Sequence, residues 1–447
     1  MLLISHDSPL FPYQLFSFPT PPSKRHAHNN PTPPQPTILD TAPRSPYLLP
    51  NDQLSRGENV TALPALDPTL TFEQGPIRPP SEAQSLLLRF TRNCPWNKCK
   101  FCPVYKRRTF SRRSIEEIKA DIDTAAEMRR EIVELSRAMG HGGDFSADVV
   151  NRVFSTPTVS EAFRNVAAWL YYGTGNVFLQ DANNLVMKPA VLTEALHYLR
   201  EKLPEAKRVT TYARSSTAAQ RTVEELTMIR KAGLDRVHIG LETGYDPLLK
   251  FMNKGVTAAK QIKGGQNIKA AGMELSEYVM PGLGGRRWWR EHAKATAEVL
   301  NQINPDFIRL RTLRVPERIE LHKDLLAGDF VKRSDDETVE EIRLFIATLD
   351  GITSTITSDH IMNLIETVGG KLPEDKPKML AIMDKYLALP DHERLLYRMC
   401  RRMGRCREPR DIDRLGLRGD LEANLAKIEA SGQDADDLLN ELADSMV

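Results

Sequence analysis

The sequence predicts an α/β fold: a partial, TIM-like (β/α)6 barrel with a helical C-terminal region and a disordered, proline-rich N-terminus. Between Thr71 and Leu313, short β-prone runs alternate with helical stretches, which indicates a parallel sheet with right-handed crossovers. The alternation gives six strands without a break into two halves, and this favours an incomplete barrel over a doubly wound sheet. After Val315 only helical patterns remain, so no further strand is expected.

Three regions follow from this pattern. We predict a disordered extension over 1–70, the barrel over 71–330 and the helical region over 331–447. The first region contains FPTPPSKRHAHNNPTPPQP, which is rich in proline and small polar residues and shows no hydrophobic period. Such a segment cannot bury enough apolar surface to offset its chain entropy.

The candidate strands are short runs of apolar and β-branched residues. They are SLLLRFT (85–91), NVFLQD (176–181), RVTTYA (208–213), RVHIGLE (236–242), LSEYVM (275–280) and FIRLRTL (307–313). The first crossover is long and carries a helix after Ser114, a candidate N-cap followed by acids, and a helical insertion, SEAFRNVAAWLYYG. Gly233 and Gly272 stand where helices commonly end.

Composition describes a soluble globular protein. Hydrophobic residues make up 41% of the 447 residues, charged residues 27%, and the formal net charge is +2. This balance argues against a strongly basic nucleic-acid binder and against an acidic tail protein. No apolar run approaches the roughly 20 residues that span a bilayer, and the opening MLLIS is too short for a signal peptide. Because few, clustered cysteines suit a reducing compartment, we predict a cytoplasmic protein.

The most informative feature is a group of three cysteines. Cys94, Cys99 and Cys102 lie in RFTRNCPWNKCKFCPVY, and the sequence has only two others, Cys400 and Cys406, which we expect to be free. Closely spaced thiols without nearby partners point to a metal or cluster. Four interpretations compete: structural thiols, a zinc site, a plant-type 2Fe–2S site with C-x4-C-x2-C spacing, and a 4Fe–4S cluster on three thiolates. Zinc lacks a nearby histidine, and the 2Fe–2S site lacks a nearby fourth cysteine.

At this loop the sequence resembles the radical S-adenosylmethionine (SAM) enzymes. Phe101, directly before the third cysteine, matches an aromatic residue that in the family packs near the adenine. The loop also leaves the first barrel strand, at the end where the sites of such barrels gather. The spacing differs in one respect, because four residues rather than three separate Cys94 from Cys99. The resemblance implies that Cys94, Cys99 and Cys102 are the metal-binding and catalytic residues, with a 4Fe–4S cluster and SAM as cofactors.

The resemblance also implies SAM contacts at the ends of later strands. Asp181 stands where the family has a Gly-Gly-Glu-like motif for the SAM amino group, although the glycines are absent. Tyr212 and Arg214 share one face of the third strand, where an arginine would need a carboxylate from SAM or substrate. Glu242 follows a segment similar to the ribose-binding segment of oxygen-independent coproporphyrinogen oxidases and radical methylthiotransferases. Glu277 on the fifth strand is a candidate for the surroundings of the ribose or sulfonium.

Simpler roles stay open for these residues. Asp181 is equally suited to a turn after a strand, and Glu242 to a salt bridge with a barrel arginine such as Arg311. Arg309 and Arg311 share a face of the sixth strand, where they suit either a bound carboxylate or a solvated rim.

The C-terminal region extends the resemblance. The segment TSDHIMNLIETVGGKLPEDK is similar to bacterial iron–sulfur oxidoreductase-like members of undefined substrate. This likeness makes Asp359, His360 and Asn363 candidates for the substrate side of the site.

The function implied by the resemblance is that of a radical SAM enzyme, an oxidoreductase or a transferase. One electron from a flavodoxin- or ferredoxin-like donor would cleave SAM to methionine and a 5′-deoxyadenosyl radical, which removes hydrogen from an undefined substrate. The alternative class is a non-catalytic iron–sulfur electron carrier or a zinc-binding protein. The basic segment KRRTFSRR (106–113) could contact phosphates, but a solvated loop is the simpler interpretation, so nucleic acid is not the expected partner.

Overall fold

A computed structural model describes residues 63–445. Residues 1–62 of the segment predicted to be disordered, 1–70, therefore lie outside the described residues. For 63–70 the prediction is wrong, because Leu66 is buried in the core and the backbone N–H of Asp67 donates to Glu131 Oε2 at 2.9 Å. Leucines spaced through LPALDPTL supply enough apolar surface to hold this short segment against the first long helix.

The strands of the described residues form one large sheet and one small ribbon. They are β1 (Leu86–Arg89), β2 (Thr91–Arg92), β3 (Ser111–Arg112), β4 (Asn176–Gln180), β5 (Arg208–Ala213), β6 (Leu234–Glu242), β7 (Glu274–Val279), β8 (Phe307–Leu310), β9 (Thr355–Thr357) and β10 (Gly370–Lys371). The large sheet has eight strands in the order β1-β4-β5-β6-β7-β8-β9-β10, and all neighbours are parallel except β9 and β10. β2 and β3 form the antiparallel ribbon.

Helices fill the crossovers and the C-terminal region. They are α1 (Ile115–Ala138), α2 (Ala147–Phe154), α3 (Glu161–Tyr172), α4 (Pro189–Lys202), α5 (Ser215–Gln220), α6 (Val223–Lys231), α7 (Asp246–Phe251), α8 (Ala258–Ala270), α9 (Gly285–Ile303), α10 (Leu321–Leu326), α11 (Asp335–Thr348), α12 (Lys376–Leu387), α13 (Asp391–Arg402), α14 (Asp411–Arg414), α15 (Arg418–Ala430) and α16 (Ala435–Ser445). Short 3-10 turns cover Pro80–Glu82 and Asn184–Val186. Between residues 63 and 445, no helix combines the length and apolarity that a bilayer crossing requires.

The two faces of the sheet have different chemistry. One face carries aliphatic side chains that pack under the helices, as Leu88, Leu179 and Ile239 do. The opposite face carries rings that contact one another: His238 lies 5.7 Å from Tyr212 between ring centroids. Because successive strand residues point to opposite faces, each strand places every second residue in the inner, ring-bearing face.

The α/β prediction is confirmed, and all six predicted strands are present as β1, β4, β5, β6, β7 and β8. The candidate N-cap is also correct, since Ser114 and Glu117 form a reciprocal capping box at the start of α1. The expectation of no strand after Val315 is wrong, because β9 pairs with β8 and β10 pairs with β9. These strands have three and two residues, which is too short to show a period in the sequence.

Cys400 and Cys406 were expected to be free thiols, but the structure joins them in a disulfide. Cys400 lies on α13, and the chain after this helix turns back at Gly404, which has a φ of +72°. That turn brings the two Cα atoms to 5.4 Å, a distance that suits a disulfide. A sequence separation of six residues does not reveal the turn, so the pairing could not be read from spacing.

A buried ion network attaches the C-terminal region to the barrel. Asp335, at the start of α11, lies between Arg314, which follows β8, and Arg402 on α13. Its Oδ1 accepts from Arg314 Nη2 at 3.1 Å and from Arg402 Nη2 at 2.8 Å. Although burial alone would raise it, the two guanidinium groups hold the pKa of Asp335 well below its usual range.

Replacing Asp335→Asn would leave two buried arginines without their counter-charge. We expect the free energy of unfolding to fall by about 3–5 kcal/mol, the usual cost of removing one partner of a buried ion network. Urea unfolding followed by circular dichroism measures this change. Asp384→Asn is the matched control, because Asp384 pairs with Arg343 on the exposed surface, and it should change stability much less. Equal effects of the two substitutions would contradict the structural role of the network.

Candidate functional site

The three clustered cysteines lie on the loop that follows β1 and β2. Cys99 is buried, Cys94 and Cys102 are half-buried, and all three are free thiols. Burial raises the pKa of Cys102, and the neighbouring Cys99 and Cys94 raise it further. The three sulfurs therefore lie close enough together to interact electrostatically.

The donor chemistry at this loop fits an iron–sulfur cluster held by three thiolates. Since the other two cysteines of the sequence bond to each other, the described residues offer no fourth free thiol. Within the same residues, no three His, Cys, Asp or Glu side chains converge as ligands of a single metal ion. An iron–sulfur cluster takes thiolate ligands, so Cys94, Cys99 and Cys102 are the residues that would hold it.

The cysteine loop is fixed to the segment after α7. The indole Nε1 of Trp96 donates to the Asn253 carbonyl at 2.7 Å, and the Lys100 N–H donates to the Met252 carbonyl at 3.0 Å. The ring of Trp96 also covers Gly255, where a Cβ atom would lie 2.3 Å from Cζ2. This close approach, together with a φ of +70°, explains why the position carries glycine.

Left-handed backbone conformations concentrate around the same loop. Asn93, Asn97 and Arg107 have φ values of +68°, +49° and +64°, and Asp181 and Glu242 at the ends of β4 and β6 have +71° and +65°. Non-glycine residues adopt such angles at a cost, and they persist where neighbouring contacts compensate. The loop and the two strand ends are therefore held in shape by their surroundings.

Asp181 is fully buried and forms hydrogen bonds with residues on both sides of the cysteine loop. Its Oδ2 accepts from Arg89 Nε at 2.6 Å and from the Asn93 N–H at 2.9 Å, while Oδ1 accepts from the Tyr105 hydroxyl at 2.8 Å. A carboxylate has about four acceptor positions, so one remains. This arrangement supports the alternative role of a turn residue, and a contact with SAM stays a prediction.

Glu242 pairs with Lys254, and not with Arg311 as one interpretation of the sequence predicts. Glu242 Oε1 accepts from Lys254 Nζ at 3.0 Å, and the same ammonium lies 5.4 Å from the ring centroid of Phe101. Arg214 Nη2 donates to the Lys254 carbonyl at 2.7 Å. The structure thus brings three predicted residues, Phe101, Arg214 and Glu242, around one lysine beside the cysteine loop.

Tyr212 lies deeper, on the inner face of the sheet. Its ring meets Phe178 edge to face at 5.2 Å and lies 6.2 Å from Tyr278. Burial raises the pKa of Tyr212 well above its usual value, so the phenol is neutral. Tyr212 is in register with His238 on the inner face, and Arg214 directly follows the last residue of β5.

Glu277 and Tyr278 lie on opposite faces of β7. Glu277 lies in register with Ile239 and Ile308, which belong to the apolar layer under the helices, whereas the inner-face residue beside it is Tyr278. Both carboxyl oxygens are buried without a hydrogen-bond partner, and burial, followed by the charge of Glu242, raises the pKa well above its usual value. Glu242 and Lys254 lie within electrostatic range of Glu277, and a contact of Glu277 with SAM stays a prediction.

Several residues that position the site could not be predicted from the sequence. Trp96, Tyr105 and Lys254 make their decisive contacts with segments distant in sequence, so no local pattern identifies them. Arg89 did carry a signal, because a charged residue at the end of the buried run LLLR needs a partner.

Gly255→Ala should weaken the attachment of the cysteine loop, because the new Cβ would collide with Trp96. We expect a clear loss of iron bound after anaerobic reconstitution, measured by iron and sulfide analysis. Gly272→Ala is the matched control: its φ is +77°, but nothing lies within 4 Å of its Cβ position. Both variants should lose about 1 kcal/mol through backbone strain. Normal iron content in Gly255→Ala would show that the Trp96 contact does not position the cysteines.

Comparison with known proteins identifies the family segment. Residues 88–295 match the Radical SAM superfamily. Two curated relatives are tRNA uridine(34) acetyltransferases, from Methanocaldococcus jannaschii at 28% identity and Methanocaldococcus infernus at 27% identity. Each alignment runs over 121 residues, or 27% of this chain, and the chain spans only 22% of the length of either relative.

Solved structures give weaker likenesses. An archaeal Elp3 from Methanocaldococcus infernus, lacking its N-terminus, has a TM-score of 0.34 at 20% identity, covering 48% of this chain and 54% of its own. Coproporphyrinogen III oxidase (HemN) from Escherichia coli, described as a radical SAM enzyme, has a TM-score of 0.36 at 14% identity, covering 56% and 48%. The sequence match runs from β1 into α9 and so includes the cysteine loop and the strand ends around it. A segment that matches the radical SAM superfamily, residues 88–295, thus makes up just under half of this chain.

Proposed function

We propose that this protein is a radical SAM enzyme with a 4Fe–4S cluster on Cys94, Cys99 and Cys102 and SAM at the iron without a protein ligand. The supporting observation is that three free thiols share one loop at the C-terminal end of β1 and that residues 63–445 hold no fourth free thiol. When bound, these cofactors supply a one-electron cleavage of SAM that yields a 5′-deoxyadenosyl radical able to remove hydrogen from a substrate.

The residues of the chain position these groups. Asp181 fixes the loop through Arg89 and Asn93. Glu242 presents a carboxylate beside the loop and is held there by Lys254, so it can accept a hydrogen bond from a ribose hydroxyl. Phe101 packs with apolar residues of α7 and offers a surface for an adenine ring.

The partners remain proposals at the level of chemical class. The reaction needs an electron donor of the flavodoxin or ferredoxin type. The relatives act on tRNA uridine, so an RNA substrate is a candidate, and the exposed side chains of Arg107, Arg108 and Arg112 near the cysteine loop would suit phosphates. The shared segment covers a small part of those relatives, and their acetyl transfer is not proposed for this chain.

The defining test is formation of 5′-deoxyadenosine. Protein reconstituted anaerobically with iron and sulfide, then given dithionite and SAM, should release 5′-deoxyadenosine and methionine, measured by liquid chromatography. Cys99→Ala should lose both the brown chromophore and this activity. The double variant Cys400→Ser/Cys406→Ser is the matched control, because that pair lies outside the site, and it should keep both. An intact cluster without SAM cleavage would favour an electron carrier, and a colourless protein with bound zinc would favour the zinc alternative.

Glu242→Gln tests the strand-end contact with SAM. Loss of a charge-assisted hydrogen bond should weaken SAM binding to the reconstituted protein about tenfold, measured by equilibrium dialysis. Glu274→Gln is the matched control, because this carboxylate pairs with Arg236 at the opposite end of β7 and should leave SAM affinity unchanged. Equal losses in the two variants would contradict the assignment of Glu242 to the site.

A further inference from the structure

Two arginines on the inner face of the barrel share a single counter-ion. Arg309 lies in β8, in register with Tyr278 of the inner face, and Arg311 directly follows the strand. Because the two arginines are two residues apart, both point to the inner face. Asp359, which follows β9, bridges them: its Oδ2 lies 3.3 Å from Arg309 Nη1 and its Oδ1 lies 3.0 Å from Arg311 Nη1.

The contacts of these arginines are incomplete. Arg309 Nε donates to Ser276 Oγ at 3.1 Å, and Arg311 Nη1 also donates to the carbonyl of Leu310 at 2.8 Å. Arg311 Nη2 is buried and has no hydrogen-bond partner. Thr357, in register with Arg309 on the neighbouring strand, likewise has a buried hydroxyl without a partner. Buried donors that lack an acceptor cost free energy, and a bound acceptor would recover it.

The charge at this place is not balanced by the protein. Two guanidinium groups face one carboxylate, and the nearby His360 adds no charge at neutral pH, because burial and then Arg311 lower its pKa to about 4. Of the other barrel acids, Glu242 pairs with Lys254, Glu274 with Arg236 and Asp181 with Arg89, while Glu82 lies 3.7 Å from His238. Among the side chains in direct contact here, two positive charges therefore face one negative charge.

Asp359 is also the outermost member of the group. Its side chain is 44% exposed, whereas those of Arg309 and Arg311 are 6% and 13% exposed. A carboxylate in this position shields the arginines from solvent and can leave them without breaking a buried contact.

We propose that Arg309 and Arg311 form the binding site for a carboxylate or phosphate group and that Asp359 occupies this site until the anion displaces it. The assignment of the anion to the substrate depends on the proposed function, whereas the anion site itself does not. Paired guanidinium groups match the two oxygens of such an anion, and the stacking of Arg311 on the Tyr278 ring, at 5.0 Å, fixes its orientation.

The first experiment uses the full-length protein without a cluster, so that it is independent of SAM chemistry. Isothermal titration with inorganic phosphate and with acetate should show binding of at least one of them to the wild type. Asp359→Asn removes the internal competitor and should tighten binding about tenfold, and Arg311→Gln should weaken it by a similar factor or abolish it. Arg343→Gln, which alters an exposed arginine paired with Asp384, is the control and should bind as the wild type does.

Misfolding of a variant cannot explain the expected gain of anion affinity in Asp359→Asn. Asp359→Asn leaves Arg309 and Arg311 without their counter-charge and should lower the unfolding temperature, but a gain of affinity cannot arise from such damage. Absence of anion binding in both the wild type and Asp359→Asn would overturn the proposal, and so would binding that Arg311→Gln leaves unchanged.

The second experiment separates the two sources of the anion. On reconstituted protein, the affinities for SAM and for methylthioadenosine, which lacks the amino-acid carboxylate, are compared between the wild type and Arg311→Gln. A loss confined to SAM would assign the site to the SAM carboxylate. Unchanged SAM affinity with lost phosphate or acetate binding would assign it to an anionic substrate. If the protein cleaves no SAM but Asp359→Asn still binds anions more tightly, the proposed function fails and the anion site stands.

Discussion

The geometry of the site depends on one buried carboxylate, that of Asp181. Burying a charge is costly unless it is paired and hydrogen-bonded, and Asp181 is paired with Arg89 and bonded to the backbone of Asn93 and the hydroxyl of Tyr105. These partners belong to the end of β1 and to both sides of the cysteine loop. Because the carboxylate itself ends β4, the loop cannot shift without breaking a buried ion pair. The cysteine loop is thus held in place by contacts within the chain.

Because side chains alternate along a strand, its position decides whether a residue lies on the inner face or packs under the helices. Glu242 and Glu277 are the same residue type on adjacent strands, yet one meets Lys254 beside the cysteine loop and the other lies unpaired under the helices. The register of β6 and β7 shifts between Gly240 and Glu242, and this irregularity ends the alternation just before Glu242. A left-handed backbone at Glu242 then directs the carboxylate toward the loop.

Much of this arrangement could be predicted from the sequence, because its signals are local. The three cysteines, the aromatic residue before the third and the period of the strands all lie within short windows. The face on which Glu277 lies could also be predicted, since LSEYV places Glu277 on the same side as Leu275 and Val279, both apolar. By contrast, the contacts of Trp96 and Lys254, the short strands β9 and β10, and the disulfide depend on segments that meet only after folding. No local pattern specifies such contacts.

The C-terminal region contributes a charged side chain to the inner face of the barrel in addition to packing against it. β9 extends the sheet beyond β8, and the residue that follows it by two positions, Asp359, supplies the counter-charge for Arg309 and Arg311. Asn363 donates to the Leu310 carbonyl at 2.9 Å, and the network around Asp335 holds the Met362 carbonyl through Arg314. The segment that carries Asp359 is therefore anchored at its C-terminal side by buried contacts, while Asp359 itself stays half-exposed. A carboxylate that is free to move at the end of a fixed segment can yield its place to a ligand without disturbing the sheet beneath it.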